Sequence, residues 1–159
     1  MAKVIMTCGN ICTGKSTYAG RLKQERNAVI LSLDELMLSM FPEGAGEEHD
    51  MLVLHAEAYL LALSLQILQT GTDVILDWGL WTRAQRKRIR EFYRAHGEIE
   101  NEIHYLRISR DEWEKRIRKR NAAHTEDSMT YYVDEGLLQK AESLFEEPSE
   151  DEVDLTVDL

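Results

Sequence analysis

The fold of this chain is decided by the stretch Gly9-Asn10-Ile11-Cys12-Thr13-Gly14-Lys15-Ser16, which is followed by Thr17. The stretch fits the phosphate-binding loop pattern G-x-x-x-x-G-K-[ST] at every required position. Glycine at both ends lets the backbone wrap tightly, so that successive N–H groups point inward at a polyphosphate. In this pattern Lys15 reaches the β- and γ-phosphates, and the Ser16 hydroxyl binds Mg²⁺. The sequence therefore predicts a nucleoside triphosphate site made by residues 9–17.

The residues on either side of the loop have the character of a strand and a helix. Residues 3–7 form a short apolar run that ends just before the loop, as a buried strand does. Residues 16–22 open a helix whose N-terminus faces the phosphates. The alternative, a glycine-containing turn without a ligand, is disfavoured because both flanks are in register with the motif.

Further strands and helices follow the loop in alternation. Strands are predicted at residues 28–32, 73–77, 102–108 and 153–157, and helices at residues 47–69, 82–96, 111–120 and 133–145. Strands separated by helical stretches indicate βαβ units and a parallel sheet. No internal repeat or linker interrupts the pattern. The sequence therefore predicts one α/β domain over residues 1–159.

Two carboxylates follow predicted strands at the edge where parallel sheets bind their ligands. Asp77 ends an apolar strand, which is the form of a Walker B strand whose aspartate lies beside the phosphate loop. Asp34 follows the second strand and is placed to accept a proton from an acceptor hydroxyl. A plain alternative remains for Asp34, because aspartate also caps helix N-termini.

Basic residues are concentrated in one part of an acidic chain. The net charge is −10, but residues 81–120 hold 13 Lys/Arg and 7 Asp/Glu. Arg116 and Arg120 are four residues apart on one face of a predicted helix, so both can close over a transferring phosphoryl group. The alternative is a solvated helix face with mixed charges. A basic island of this kind favours a phosphate site over a duplex-binding surface.

Length and composition indicate a single domain, and the cysteine content indicates a reducing compartment. The chain has 159 residues, 43% of them hydrophobic, and only two cysteines, Cys8 and Cys12. Free thiols favour a cytoplasmic location. Residues 51–68 are the most hydrophobic stretch, but they include polar side chains and are predicted to form a buried helix rather than a membrane span. His49 and His55 are six residues apart, which does not suit a metal site on one helix face.

Several of these segments together resemble a known family. The chain is similar to the small P-loop kinases that include the AAA_33-like proteins, polynucleotide kinase, zeta toxins and chloramphenicol phosphotransferase. Its greatest similarity is to a bacterial branch described as predicted ATP-binding kinases. The matching segments are residues 9–17, 32–35 with 40–41, 74–79, 82–86, 116–121 and 144–148.

The resemblance implies a fold and a set of roles. The fold is the three-layer sandwich of P-loop NTPases, with a parallel sheet of about five strands in the order 2-3-1-4-5, helices on both faces and a short lid at about residues 116–131. The cofactors are ATP and Mg²⁺, with Ser16 and Asp77 as metal contacts.

The resemblance also assigns individual residues. It makes Asp34 the catalytic base, Lys15 a phosphate ligand, and Arg116 and Arg120 the lid arginines. Arg83 lies where relatives contact substrate or phosphate, and the segment around Pro148 corresponds to the loop near the adenine. Cys12 is a departure, because relatives commonly have glycine or alanine there; a cysteine is expected to fit, and a somewhat altered loop conformation is the alternative.

The sequence is compatible with three functions. The first is an ATP-dependent kinase that acts on a hydroxyl of a small molecule. The second changes the acceptor to a nucleic-acid 5′-hydroxyl, which the acidic net charge disfavours. The third is a nucleotide-binding or hydrolysing regulatory module without an acceptor. A pure switch has no need of Asp34, and the chain lacks an N-K-x-D guanine motif, so the kinase is preferred. The sequence predicts neither the acceptor nor the oligomeric state.

Overall fold

The computed structural model describes residues 1–128 and 131–159. Residues 129–130, which belong to the predicted lid at 116–131, lie outside the described residues. The strands are β1 Val4–Cys8, β2 Val29–Ser32, β3 Val74–Asp77, β4 Asn101–Arg107 and β5 Leu155–Asp158. The helices are α1 Lys15–Arg26, α2 Leu33–Met40, α3 His49–Gln69, α4 Arg83–Ala95, α5 Arg110–Ala123 and α6 Glu135–Leu144.

All five strands join one parallel sheet in the order β2-β3-β1-β4-β5. This confirms the predicted P-loop fold and its strand order. The central strand β1 is buried along its whole length because it has a neighbour on each side and a helical layer on each face. Ser32 pairs in register with Asp77, so β2 and β3 end side by side at the edge that carries the phosphate loop.

Two apolar clusters fix the helices to opposite faces of the sheet. On one face, Ile5 and Ile75 pack with Ala19 and Leu22 of α1. On the other, side chains of β1 and β3 pack with Leu60 and Leu61 of α3 and with α4. The loop between β1 and α1 therefore starts from β1, a strand whose residues are all buried.

Helix α3 is buried on one face only. Leu60, Leu61 and Ser64 face the sheet, whereas Leu54 and Tyr59 are exposed. The prediction of a buried helix therefore applies to half of its surface. By length and composition alone, Gly46–Gln69 could cross a membrane, and 28% of its most apolar window is buried inside the protein. Core helices of ordinary domains satisfy the same two criteria, so this observation is weak evidence for a membrane.

Candidate functional site

The loop after β1 is tightly wrapped, and its glycines explain why. A Cβ atom at Gly9 would lie 2.9 Å from Oγ1 of Thr13. Gly14 has a φ of 90°, a left-handed conformation that favours glycine. Cys12 also has a positive φ, 56°, although it carries a side chain. Cys12 therefore holds a left-handed backbone conformation that glycine adopts without steric cost.

Lys15 begins α1 and turns back over the loop. Its ammonium group donates a hydrogen bond to the carbonyl oxygen of Asn10. Burial lowers the pKa of Lys15, and the carboxylates of Asp77 and Asp34 oppose this effect. A polyphosphate would supply the negative charge that this desolvated ammonium lacks, so its placement suits the predicted contact with phosphate.

Ser16 and Asp77 are brought together at the end of β3. The Ser16 hydroxyl donates a 2.8 Å hydrogen bond to Oδ2 of Asp77. The Thr7 hydroxyl lies 3.5 Å from Oδ1 of the same carboxylate. These are hard oxygen ligands of the kind that Mg²⁺ prefers, and Mg²⁺ usually completes its shell with water and phosphate oxygens. The described residues contain no group of three or more His, Cys, Asp or Glu side chains that could hold a metal by themselves.

Asp34 lies in the first turn of α2, directly beyond β2. The N-cap of this helix is Ser32, whose hydroxyl oxygen accepts a hydrogen bond from the Glu35 N–H at 3.3 Å. Asp34 is therefore not needed as the cap, and the capping interpretation of this residue is wrong. Its carboxylate remains accessible to solvent but is surrounded by protein, and this desolvation raises its pKa, while Lys15 opposes the shift.

Two further side chains that the sequence did not assign interact electrostatically with Asp34. His49, the first residue of α3, favours the charged form of Asp34. Tyr131 has a raised pKa, through burial first and then through the negative charge of Asp34. Asn121 fixes the backbone near Tyr131, because its side chain donates to the Val133 carbonyl at 2.8 Å and accepts from the Val133 N–H at 2.9 Å. None of the matching segments contains His49 or Tyr131, so only the fold could find these two residues.

Arg116 and Arg120 both reach the phosphate loop from α5. Arg116 donates to the Thr13 carbonyl at 3.1 Å, and Nη1 of Arg120 lies 3.2 Å from Sγ of Cys12. Nε of Arg120 is buried and has no hydrogen-bond partner among the described residues. Trp113 of the same helix donates to the Ile11 carbonyl at 2.6 Å. Arg116 and Arg120 thus point at the phosphate loop and do not form a solvated helix face.

Among the described residues, Arg83 and Pro148 form no hydrogen bond or ion pair with residues 9–17. Arg83 is the first residue of α4, and its side chain is 67% exposed. Pro148 is buried. Within the described chain, the hydrogen bonds of residues 146–152 run to the turn before α4, to α4 itself and to β4, and none reaches residues 9–17. The roles assigned to Arg83 and Pro148 remain predictions.

The turn after β3 places an aromatic side chain beside the loop. The Gly79 carbonyl accepts a 3.0 Å hydrogen bond from the Gly9 N–H. The indole of Trp81 folds back onto Gly79 so closely that a Cβ atom there would lie 2.5 Å from its Nε1. Leu80 between them has a φ of 49°. Residues with strained backbones often mark functional sites. The strained conformation of Leu80 keeps Trp81 half-buried near Gly9.

Comparisons with known proteins agree with this arrangement. The AAA_33 family model, described as an AAA domain, matches residues 4–148. No curated protein sequence matches the chain. A putative kinase from Chloroflexus aurantiacus is similar in structure, with a TM-score of 0.75 and 21% identity over 99% of this chain and 85% of the other.

Two further solved structures are similar at low sequence identity. Kti12 from Chaetomium thermophilum, in complex with ADP-AlF3, has a TM-score of 0.74 and 15% identity over 98% of this chain and 88% of its own. The Mycobacterium tuberculosis APS kinase CysC, in complex with AMPPNP and APS, has a TM-score of 0.68 and 18% identity over 99% and 88%. At these identities the likeness shows the fold.

Proposed function

The chain belongs to the AAA domain family, whose model it matches over residues 4–148, and on this premise we propose that it is an ATP-dependent kinase. Its reaction is transfer of the γ-phosphate of ATP to a hydroxyl of a small molecule. The observation that carries the proposal is the position of Asp34. Its carboxylate does not cap α2, it follows β2 at the edge that carries the phosphate loop, and the charges of Lys15 and Asp77 both act on it.

The nucleotide half of the site is made by residues 9–17. Their N–H groups and Lys15 bind the β- and γ-phosphates. Ser16 and Asp77 would hold Mg²⁺, which supplies neutralising charge for the phosphates when it is bound. APS kinase, a relative in fold, was solved with the ATP analogue AMPPNP, and this supports the same use of the loop here.

Asp34 acts on the acceptor. It accepts the proton of the acceptor hydroxyl as the oxygen bonds to the γ-phosphorus and the bond between that phosphorus and ADP breaks. Burial raises the pKa of Asp34 and makes the carboxylate a somewhat stronger base than a solvated aspartate, while Lys15 and Arg120 oppose this rise.

Arg116 and Arg120 supply positive charge to the transferring group. Because they contact the loop carbonyl of Thr13 and the sulfur of Cys12, a bound triphosphate would lie within reach of both. We propose that residues 116–131 form a lid on a single kinase domain that spans residues 1–159. Arg83 would contact substrate or phosphate, and the segment around Pro148 would lie near the adenine.

The location and partners follow from the same features. Both cysteines are free, and Cys8 is buried, which fits a reducing cytoplasm. The partners we propose are ATP and a small hydroxyl compound. A nucleic-acid acceptor is disfavoured by the net charge of −10, since phosphate backbones require basic surfaces.

A transfer assay tests this function directly. Purified protein is incubated with γ-labelled ATP, Mg²⁺ and a panel of alcohols, sugars, antibiotics and 5′-hydroxyl oligonucleotides. We expect label on a small hydroxyl compound with the wild-type protein and none with Asp34→Asn. Label on oligonucleotides alone would favour a polynucleotide kinase. ATP hydrolysis that no acceptor stimulates and that Asp34→Asn leaves unchanged would favour a regulatory module.

A further inference from the structure

Three side chains on one face of α5 contact the phosphate loop. Trp113, Arg116 and Arg120 are spaced three and four residues apart, so they lie on the same side of the helix. The two arginines have a role in the proposed transfer step, whereas Trp113 has none so far. Trp113 is only 7% exposed, and its Nε1 lies 2.6 Å from the Ile11 carbonyl oxygen, which is the shortest of the three contacts.

Two carbonyl groups in the middle of the loop are held by α5. The Ile11 carbonyl accepts a hydrogen bond from the indole of Trp113, and the Thr13 carbonyl accepts one from Arg116 at 3.1 Å. Carbonyl oxygens carry partial negative charge and would repel a phosphate group. Both oxygens are therefore bound by protein donors on the side of the loop that faces α5.

Each of these carbonyl groups fixes the direction of the N–H group that follows it. In a planar trans peptide unit, the C=O of one residue and the N–H of the next point in opposite directions. The Ile11 carbonyl thus turns the Cys12 N–H away from α5, and the Thr13 carbonyl does the same for the Gly14 N–H. The Ile11 N–H already donates to Oδ1 of Asn10 at 2.8 Å. Within residues 1–128 and 131–159, the N–H groups of Cys12 and Gly14 donate to no protein acceptor.

Cys12 lies between the two held carbonyl groups in a conformation that is unfavourable for a residue with a side chain. Its φ of 56° is in the left-handed region. Such a conformation persists where the surrounding structure fixes it. Ile11 and Cys12 pack against the apolar cluster of Trp113, Ile117 and Val133. Trp113 therefore holds this part of the loop both by packing and by its hydrogen bond.

The orientation of the peptide unit between Ile11 and Cys12 decides whether its N–H can bind phosphate. A polyphosphate is bound in such a loop by backbone N–H groups that converge on it. On the basis of the nucleotide half of the proposed function, we infer that Trp113 is a positioning residue for phosphate binding. Its indole N–H holds the Ile11 carbonyl so that the Cys12 N–H faces the β- and γ-phosphates of ATP.

Trp113→Phe tests this inference because it removes the indole N–H and keeps an aromatic ring. The affinities for ATP and for AMP are measured by calorimetric titration. We expect the Kd for ATP to rise about fivefold, which is the equivalent of one hydrogen bond between neutral groups. The affinity for AMP should not change, because AMP has neither a β- nor a γ-phosphate. In a transfer assay, the KM for ATP should rise while kcat changes little.

Tyr93→Phe is the matched control, since it also removes one buried hydrogen bond and keeps the ring. The Tyr93 hydroxyl lies 2.8 Å from the Ser64 hydroxyl, between α4 and α3. We expect both variants to lose stability to urea and only Trp113→Phe to lose ATP affinity. Unchanged ATP affinity in Trp113→Phe, an equal loss for AMP, or an equal loss of ATP affinity in Tyr93→Phe would overturn the inference.

A measurement on the wild-type protein does not depend on how the variants fold. The amide proton resonance of Cys12 should move downfield when ATP and Mg²⁺ are added, because its N–H gains a phosphate acceptor. An unmoved resonance with ATP bound would overturn the inference.

The inference and the proposed kinase can fail separately. ATP binding that Trp113→Phe weakens, without transfer to any acceptor, would reject the kinase and support the role of Trp113. Failure of the wild-type protein to bind ATP would reject the nucleotide site and the inference with it.

Discussion

The hydroxyl of Ser16 donates a hydrogen bond of 2.8 Å to the carboxylate of Asp77, joining the first turn of α1 to the end of β3. The two residues are 61 positions apart in the sequence. The contact forms because β1 and β3 are neighbours in the sheet, so the loop after β1 passes over the end of β3. The oxygens proposed to bind Mg²⁺ thus lie side by side at the carboxyl edge of the sheet.

We expect Asp77→Asn to weaken the Mg²⁺-dependent part of ATP binding by about tenfold, because an amide is a poorer ligand and acceptor than a carboxylate. The measurement is calorimetric titration with ATP, in Mg²⁺ and in EDTA. Affinity in EDTA should change little. Asp151→Asn, at an exposed position near the C-terminus, should affect neither condition. An equal loss in EDTA would show that Asp77 acts on the loop and not through the metal.

Lys15→Ala should weaken nucleotide binding and transfer together. The buried ammonium contacts the loop carbonyl of Asn10 and is the basic group nearest the proposed γ-phosphate position. We expect a loss of at least tenfold in ATP affinity, measured with a fluorescent ATP analogue. Lys23→Ala, on the exposed side of the same helix, is the control and should bind as the wild type does. Unchanged ATP turnover by Lys15→Ala would rule out the loop assignment.

Asp34→Asn should abolish transfer and leave ATP affinity nearly intact, since its carboxylate serves the acceptor. Loss of a general base typically costs about 10²–10⁴ in rate. The rate of the wild-type protein should fall as pH falls through the pKa of Asp34, because only the ionised carboxylate accepts a proton. That midpoint should lie above the ordinary aspartate value of about 3.9, since desolvation raises this pKa.

The matched control for Asp34→Asn is Asp111→Asn, which also removes a carboxylate from the first turn of a helix. Stopped-flow measurement of one turnover separates the chemical step from product release. A collapse of ATP affinity in Asp34→Asn alone would make Asp34 a metal or structural residue instead.

Gly79→Ala should displace the indole of Trp81, because the new Cβ would lie 2.5 Å from Nε1 of that ring. We expect a shift in tryptophan emission and a fall in transfer, with the fold retained by circular dichroism. Gly20→Ala is the matched control, since nothing lies within 4 Å of its Cβ position. Alanine at this helical position should raise stability by about 0.5–1 kcal/mol. Equal emission and activity in both variants would show that Trp81 is not positioned by Gly79.

The fold could be predicted from the sequence because the patterns that indicate strands, helices and the phosphate loop are local and periodic. Apolar runs marked β1 and β3, and the glycines of the loop fixed the turn between β1 and α1. The strand order 2-3-1-4-5 came from family resemblance, and the structure confirms it. His49 and Tyr131 were not predicted near Asp34, because their positions depend on how α3 and the segment after α5 pack. Ser32, not Asp34, caps α2, and the spacing of Ser32 and Glu35 is the sequence pattern that could have predicted it.

The buried ion pair of Arg86 and Glu152 fixes the turn that carries Gly79 and Trp81. Arg86 is 2% exposed; its Nε lies 3.0 Å from Oε1 of Glu152, and its Nη1 donates to the Leu80 carbonyl at 2.9 Å. Burial alone would raise the pKa of Glu152, but hydrogen bonds from Arg86 and Ser149 outweigh it and lower the pKa to about 2. The pair therefore joins the C-terminal segment to the turn beside the loop.

Glu152→Gln should destabilise the protein by about 3–5 kcal/mol at pH 7, because it leaves the Arg86 charge buried without its partner. The folded-state pKa of Glu152 lies below the unfolded one, so its contribution is complete above about pH 4.3 and is lost as pH falls toward 2. Urea unfolding at pH 7 and at pH 3 should therefore show a gap between wild type and variant that narrows in acid. Glu150→Gln, at an exposed position, is the control and should match the wild type at both pH values. A gap independent of pH would mean that the ionised form of Glu152 contributes nothing and that the turn is fixed by packing.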